Sequence, residues 1–384
     1  MFYVRKWYSR MNQRLKVVIA HQTVVDGDAI GHDILGMYQT LTNMNYEVFI
    51  YAENYLGDFE RYKMNEYDLL KYLKDKKNIL IYHHSVFWDK GEELINHCKA
   101  HLFFRYHNIT PPEFFKSYSQ LYYEMTLQGR EQTARFIRIY ENGHWLADSE
   151  YNKIDLLNYG LQYESIDVVP PFHAIEDWSE ISPNISLVNQ VFSNKRKNVF
   201  FVGRIAPNKG HKHLINVIKN YKDNYDKDIQ LWLVGSIDTH HLKSYMDELR
   251  GIIREKNLEE NISFTDKLPL QDIKALYLSS DAFLCMSEHE GFCVPLIEAQ
   301  FHGLPIVTFN GSALKETVGP DQIVLESIDY NLAAAALYTV FHDLEIKEFC
   351  QDNGYINLYR RFSQQNIQER FNASLNKVIG SEPI

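Results

Sequence analysis

Two series of short, nearly continuous apolar runs constrain this chain more than any other feature. The first is Leu15–Ala20, Tyr46–Tyr51, Asn78–Tyr82, Ala100–Phe104, His144–Ala147 and Ile166–Val169. The second is Val199–Val202, Gln230–Val234, Ile262–Thr265, Ala282–Cys285, Ile306–Phe309 and Ile323–Leu325. Runs this short, with little polar alternation, read as strands buried on both faces. Separated by helix-length stretches, such strands make parallel sheets. Each series therefore predicts one doubly wound, Rossmann-like α/β domain, and 384 residues suffice for two. Pro170-Pro171 closes the first series, and 173–197 mixes proline, asparagine, serine and charge without clear periodicity, as a linker does. Ser363 can cap a terminal helix, along one side of which Ile367, Phe371, Leu375 and Val378 recur.

Composition narrows the function classes. Hydrophobic content of 45% and charged content of 23% fit an ordinary globular protein, and a formal net charge of −10 argues against nucleic acid as a partner. Cys98, Cys285, Cys293 and Cys350 show no paired metal-ligand spacing and read as reduced thiols in a cytoplasmic protein. No apolar run approaches membrane-spanning length, and the N-terminus lacks the continuous apolar segment of a signal peptide. Residues 1–16 are basic (Arg5, Lys6, Arg10, Arg14, Lys16), with Phe2, Tyr3, Trp7 and Tyr8 among them and no acid. Two readings stand: a segment for peripheral contact with an anionic membrane, or a basic tail before the first strand.

The chemistry concentrates in the second half. The run Ala282–Cys285 leads into Ser287-Glu288-His289-Glu290-Gly291-Phe292-Cys293-Val294-Pro295-Leu296-Ile297-Glu298-Ala299. Glu290 follows the strand, Gly291 lets the backbone approach a ligand, and Glu298 lies on the following helix. That helix start offers unpaired N–H groups and a positive dipole end. Upstream, Val199-Phe200-Phe201-Val202-Gly203-Arg204-Ile205-Ala206-Pro207-Asn208-Lys209-Gly210 places two cations in a loop at the carboxyl end of a strand, where parallel sheets bind ligands. Arginine forks two phosphate oxygens and lysine adds a point charge. The set suits a polyhydroxylated, negatively charged ligand.

This pattern closely resembles the Glu-x7-Glu motif of retaining glycosyltransferase family 4. Leu231-Trp232-Leu233-Val234-Gly235-Ser236 and Gly303-Leu304-Pro305-Ile306-Val307 resemble further family elements in family order, across roughly 198–320. The resemblance implies the GT-B architecture: two Rossmann-like domains facing a cleft, with the last helix crossing back to the first. The expected domains are 1–172 with 363–384, then a linker at 173–197, then 198–362. It implies transfer of a hexose, from a GDP-mannose type or UDP-hexose donor, to a glycan or lipid-linked acceptor in surface polysaccharide or glycolipid synthesis. It also implies retained configuration, with the nucleotide sugar as co-substrate and no cofactor or metal. Arg204 and Lys209 are expected at the diphosphate, and Glu290 at the donor sugar. The amides of Gly291, Phe292 and Cys293, with Gly203, are expected at sugar or phosphate, and Glu298 at the ribose hydroxyls. Lys267 and Leu268 fall where the family's backbone reads the base. In the first half, Val25-Asp26-Gly27-Asp28-Ala29-Ile30-Gly31 resembles the phosphate-approaching glycine loop through Gly27 and Gly31, without the commoner Gly-Gly form. His107 matches a family histidine that faces the donor sugar; a packed or capping histidine is the other reading.

Several features stay open. Asp26 and Asp28 spell a metal-binding Asp-x-Asp, but two such carboxylates on a loop are usually just solvated. His83-His84, read as following the third strand, are candidates for the acceptor cleft. Arg130, Arg135 and Arg138 suit an acidic acceptor or a solvated helix face. Gly203–Gly210 lacks Walker A spacing, and His97-Cys98-x2-His101 is too short for a closed metal site. The competing functions are another GT-B enzyme, such as a nucleotide-sugar epimerase, and an inactive scaffold. An inactive relative is expected to lose Glu290, Arg204 or Lys209, and all three are present.

Overall fold

The computed structural model describes residues 14–140 and 143–380. In chain order the strands of the first half are β1 (Lys16–Ala20), β2 (Thr23–Val24), β3 (Glu47–Tyr51), β4 (Asn54–Tyr55), β5 (Ile79–His84), β6 (His101–Tyr106), β7 (His144–Ala147) and β8 (Ile166–Val168). Those of the second half are β9 (Lys197–Val202), β10 (Ile229–Val234), β11 (Ile262–Thr265), β12 (Ala282–Cys285), β13 (Ile306–Phe309) and β14 (Ile323–Leu325). Two six-stranded sheets result, ordered β3-β1-β5-β6-β7-β8 and β11-β10-β9-β12-β13-β14, with β2 and β4 as a separate pair. Every pairing is parallel, for example Val18 with Phe49 and Leu80, and Phe200 with Trp232 and Phe283. All residues of β5 and β12 are buried, as strands covered by helices on both faces require.

In the first sheet the chain starts at β1, steps outward to β3, then returns to the other side of β1 at β5. The second sheet does the same around β9, with β12 on its far side. Ligands of open parallel sheets bind at such reversals, beyond the carboxyl ends of the strands. The loops after β1, β5, β9 and β12 therefore converge on the places where the sequence carries its unusual residues.

The two halves interlock. The helix Gln364–Ile379, capped by Ser363, returns to the first sheet, where Ile367, Phe371 and Leu375 join its core and Phe371 meets Phe172 edge-on at 5.7 Å. In the other direction, Phe115 from the segment after β6 is buried within the core of the second domain. Full burial of such a ring stabilises by about 2–3 kcal/mol. Tyr118 and Tyr122 beside it donate to Glu248 Oε2 (2.9 Å) and Asp238 Oδ2 (2.6 Å) of the second domain.

The stretch 173–197 is not an irregular linker throughout. Asn184 caps a helix, Ile185–Ser193, whose Val191 is buried in the second core, so the second domain begins before 198. Lys197 already belongs to β9. β5 and β6 also outrun their apolar cores, which puts His83, His84 and Arg105 inside the sheet rather than beyond it. Among the described residues no helix is long and apolar enough to cross a membrane. The basic segment of residues 1–16 lies outside the described residues, save for Arg14 to Lys16.

Candidate functional site

The loop after β9 is folded tightly against the loop after β12. Pro207–Lys209 forms one turn of 3-10 helix, closed by Gly210 at φ 67°. A Cβ on Gly210 would lie 1.8 Å from the carbonyl oxygen of Met286, so no other residue fits without moving backbone. Asn208 fastens the loops: its carbonyl accepts from the amide of Glu288 at 2.9 Å, and its Nδ2 donates to the carbonyl of His289 at 3.1 Å. This brings Lys209 Nζ to 2.7 Å from Glu290 Oε2. Burial opposes the lysine's charge, but Glu290 outweighs it and holds the Lys209 pKa above its ordinary value. Arg204 is close enough to Lys209 to repel its charge. The guanidinium is exposed and lies 5.4 Å from the ring centre of Tyr122. Gly203, at the strand exit, donates to the carbonyl of Val234 at 2.9 Å.

Beyond Glu290 the motif loop touches the first domain. A Cβ on Gly291 would lie 2.7 Å from the carbonyl oxygen of His107, and the Gly291 carbonyl accepts from Ser149 Oγ at 2.6 Å. Further along the chain, after β13, the carboxylate of Glu316 accepts the amides of Glu150 (2.9 Å) and Tyr151 (3.2 Å), at the start of the first-domain helix Glu150–Asn158. Phe292 is buried against Phe362, and Cys293, at φ 74°, leads into the helix Val294–Phe301. The Leu296 amide donates to the Cys293 carbonyl at 3.1 Å, and the first amides of a helix lack an i−4 partner within it. Glu298 is half-buried on it and accepts from Tyr277 at 2.9 Å. Burial pushes its carboxyl up to about 7, against the opposing effects of Tyr277 and the nearby Trp178. Lys267 is exposed after β11, and Leu268 packs on the second core.

The first-domain side is built on a buried ionic cluster that the sequence did not announce. Arg105 is fully buried in β6 and reaches Asp33 Oδ2 at 2.7 Å, Asp148 Oδ1 at 2.9 Å and the carbonyl of Val169 at 2.6 Å. Its one signal was a cation at the end of an apolar run. Asp148 Oδ2 holds His107 Nδ1 at 3.0 Å, and His107 Nε2 meets His83 Nδ1 at 2.9 Å. Both His107 nitrogens thus have protein partners, so a sugar hydroxyl reaching the ring must displace one. Burial holds His83 well below its ordinary pKa and His84 down at about 3, so neither carries charge. His84 Nε2 bonds Thr133 Oγ1 at 2.8 Å, inside the domain rather than in a cleft. Asp33, His83 and His107 have ligand atoms within 4.8 Å of one another, but Asp33 is already committed to Arg105 and to the amide of Phe172.

The glycine loop after β1 sits across from the second domain. Asp28 accepts from the amide of Gly31 at 2.6 Å and caps the helix Ala29–Asn43, while Asp26 accepts from the amide of Asp58. Each carboxylate of the Asp-x-Asp thus has a structural task. Burial raises the Asp28 pKa, and the charges of His107 and Lys267 reach it. Gly27 stands at φ 76° with open space around its Cα. Arg130 pairs with Asp155 (3.2 Å) and Arg135 with Glu92 (2.8 Å), and Arg138 donates to a carbonyl of its own helix, Ala134. The first two are therefore fixed by partners rather than forming an open cationic face.

Two facing parallel-sheet domains with a returning last helix define the GT-B fold. An Anabaena protein, HepE, solved in complex with UDP-glucose, shares it: TM-score 0.71, 16% identity, over 95% of this chain and 100% of that one. Residues 186–356 match the family model described as Glycosyl transferases group 1. Two curated relatives match part of this chain. An uncharacterized 41.2 kDa protein in the cps region of Klebsiella pneumoniae is 24% identical over 56% of this chain and 61% of its own. The capsular polysaccharide biosynthesis glycosyltransferase CapH of Staphylococcus aureus is 30% identical over 33% of this chain and 34% of its own. The chain thus spans between a third and about three-fifths of the curated relatives it matches.

Proposed function

We propose that this chain is a retaining glycosyltransferase. It moves a hexose from a nucleotide sugar to a glycan or lipid-linked acceptor in surface polysaccharide or glycolipid assembly. The observation that carries the reading is the 2.7 Å pair of Lys209 and Glu290, with Arg204 beside it and the start of the helix Val294–Phe301 just beyond. Bond cleavage at the anomeric carbon builds positive charge on the sugar and negative charge on the diphosphate. Lys209, Arg204 and the helix amides face the second charge, and Glu290 faces the first. The acceptor oxygen bonds to the anomeric carbon on the face from which the diphosphate leaves, and the departing phosphate oxygen takes the acceptor proton. Glu298 accepts hydrogen bonds from the ribose hydroxyls. A UDP-hexose donor is supported by the likeness to HepE, and a GDP-mannose type donor stays beside it. Met1–Lys16 adds contact with the anionic cytoplasmic face of a membrane.

The protein supplies its own cations at the leaving group, so activity is expected to survive EDTA, and an α-linked donor to give an α-linked product by NMR coupling. A β-linked product overturns the retaining reading. Loss of activity in EDTA, restored by Mn²⁺ or Mg²⁺, overturns the metal-free one. Deletion of residues 1–12 is expected to reduce co-sedimentation with anionic liposomes at low salt and to spare donor hydrolysis, at about 1 kcal/mol per basic residue. Equal sedimentation with and without the segment removes the membrane assignment.

A further inference from the structure

Glu298 is the motif carboxylate that the protein holds through an aromatic cluster. Tyr277, on the helix Leu270–Ser279, donates its hydroxyl to Glu298 Oε2 at 2.9 Å. Trp178 comes from the connection between the domains and lies close enough to the same carboxyl group to favour its charged form. The neighbours leave little freedom. His302 lies flat on Tyr277, with ring centres 4.7 Å apart and 3° between planes. Trp178 stands edge-on to Tyr277 at 5.8 Å and to His302 at 5.1 Å. His302 Nδ1 bonds the backbone carbonyl of Glu298 at 2.8 Å, and Lys274 Nζ ties down the carbonyls of Trp178 and Ile181.

An ionised carboxylate accepts at about four lone-pair positions. Tyr277 takes one of them, Trp178 packs edge-on against the Tyr277 ring, and the open positions suit a vicinal pair of hydroxyls. We propose that Tyr277 and Trp178 are positioning residues that hold Glu298 ready to accept the ribose hydroxyls of the nucleotide, so that a tryptophan of the interdomain connection helps set nucleotide affinity. This rests on the reading of Glu298 given above. A pH signature follows. Of the groups around this carboxyl, burial lifts Tyr277 well above its usual value of 10 and holds His302 near 4. Hydrogen bonding to Cys285 and burial raise the Cys293 thiol. Glu298, pushed up to about 7, is the one among these that titrates near neutrality. Protonation removes acceptor capacity, so nucleotide affinity rises as pH rises through about 7. Deleting the Tyr277 hydroxyl favours the neutral acid and moves that midpoint upward.

Calorimetric titration of UDP and GDP, and of their 2′-deoxy counterparts, across the neutral pH range tests this on the full chain and on Y277F, W178F and E298Q. Wild type is expected to prefer the ribonucleotide. Y277F is expected to bind it about tenfold more weakly near neutrality, the scale of one lost hydrogen bond to a charge. Its loss on the deoxynucleotide is smaller, its pH midpoint is higher, and KM for donor rises while kcat holds. W178F is expected to move the same way by less. General loosening of the fold would weaken both nucleotides alike and leave the midpoint in place, which counts against the proposal. If wild type binds both nucleotides equally and E298Q matches it, the ribose role of Glu298 falls. If wild type discriminates and E298Q does not, while Y277F and W178F keep wild-type affinity and midpoint, the ribose role stands and the positioning proposal is overturned.

Discussion

Lys209→Ala and Arg204→Ala are each expected to lower transferase turnover by about a hundredfold or more. Removing one preorganised donor from a developing anion costs roughly 2.7–4 kcal/mol at the transition state. The two losses differ in kind. Lys209 also holds Glu290 at 2.7 Å, so its removal frees the carboxylate that faces the sugar. Arg204 lies over Tyr122 and pairs with no carboxylate among the described residues, so its removal subtracts charge and leaves Glu290 in place. Glu290→Gln is then expected to depress turnover more than donor affinity, because its charge matters most when the sugar becomes cationic. Steady-state kinetics with a nucleotide-sugar panel decide it. Turnover within about threefold of wild type for both alanine variants would remove the leaving-group assignment.

Arg105→Met is expected to destabilise the fold by about 3–5 kcal/mol, the cost of breaking a buried ion pair from one side. Asp33 and Asp148 would both lose their cation inside the first sheet, and the His107–Asp148 contact would lose its support. Methionine keeps most of the side chain's length, so the change is mainly electrostatic. Asp33→Asn in the same chain is expected to recover part of the loss, because it removes one uncompensated charge. The urea midpoint reads both effects. A midpoint unchanged by Arg105→Met would mean that water already reaches these carboxylates.

The parallel strands were legible because both of their faces are covered, so their apolar runs are almost unbroken. The residues of the motif loop were legible because a glutamate, a glycine and a second glutamate lie within one strand-to-helix segment. Contacts that join distant segments were not. Arg105 and Asp33 lie 72 positions apart, and nothing in either neighbourhood names the other. The helix Ile185–Ser193 has apolar residues at helical spacing, but proline and asparagine before it masked the pattern. His83 and His84 were placed beyond a strand because histidine ended the apolar run. In the fold the hydrogen bonds to His107 and Thr133 let two polar rings continue it. The neighbours of Glu298, Tyr277 and Trp178, come from a different helix and from the connection, and neither shows as a motif.

The exchange of Phe115 one way and the helix Gln364–Ile379 the other makes this a chain that resists being cut. A fragment ending before Ile185 carries Phe115 outward with no socket, and leaves the surface that Ile367, Phe371 and Leu375 cover open to water. The complementary fragment has the socket without the ring, and a terminal helix with nowhere to lie. Each half made alone is bound to be sticky, and mixing the two should restore solubility to both. The boundary between these domains is a division of labour in the ligand site, not a seam along which the polypeptide comes apart.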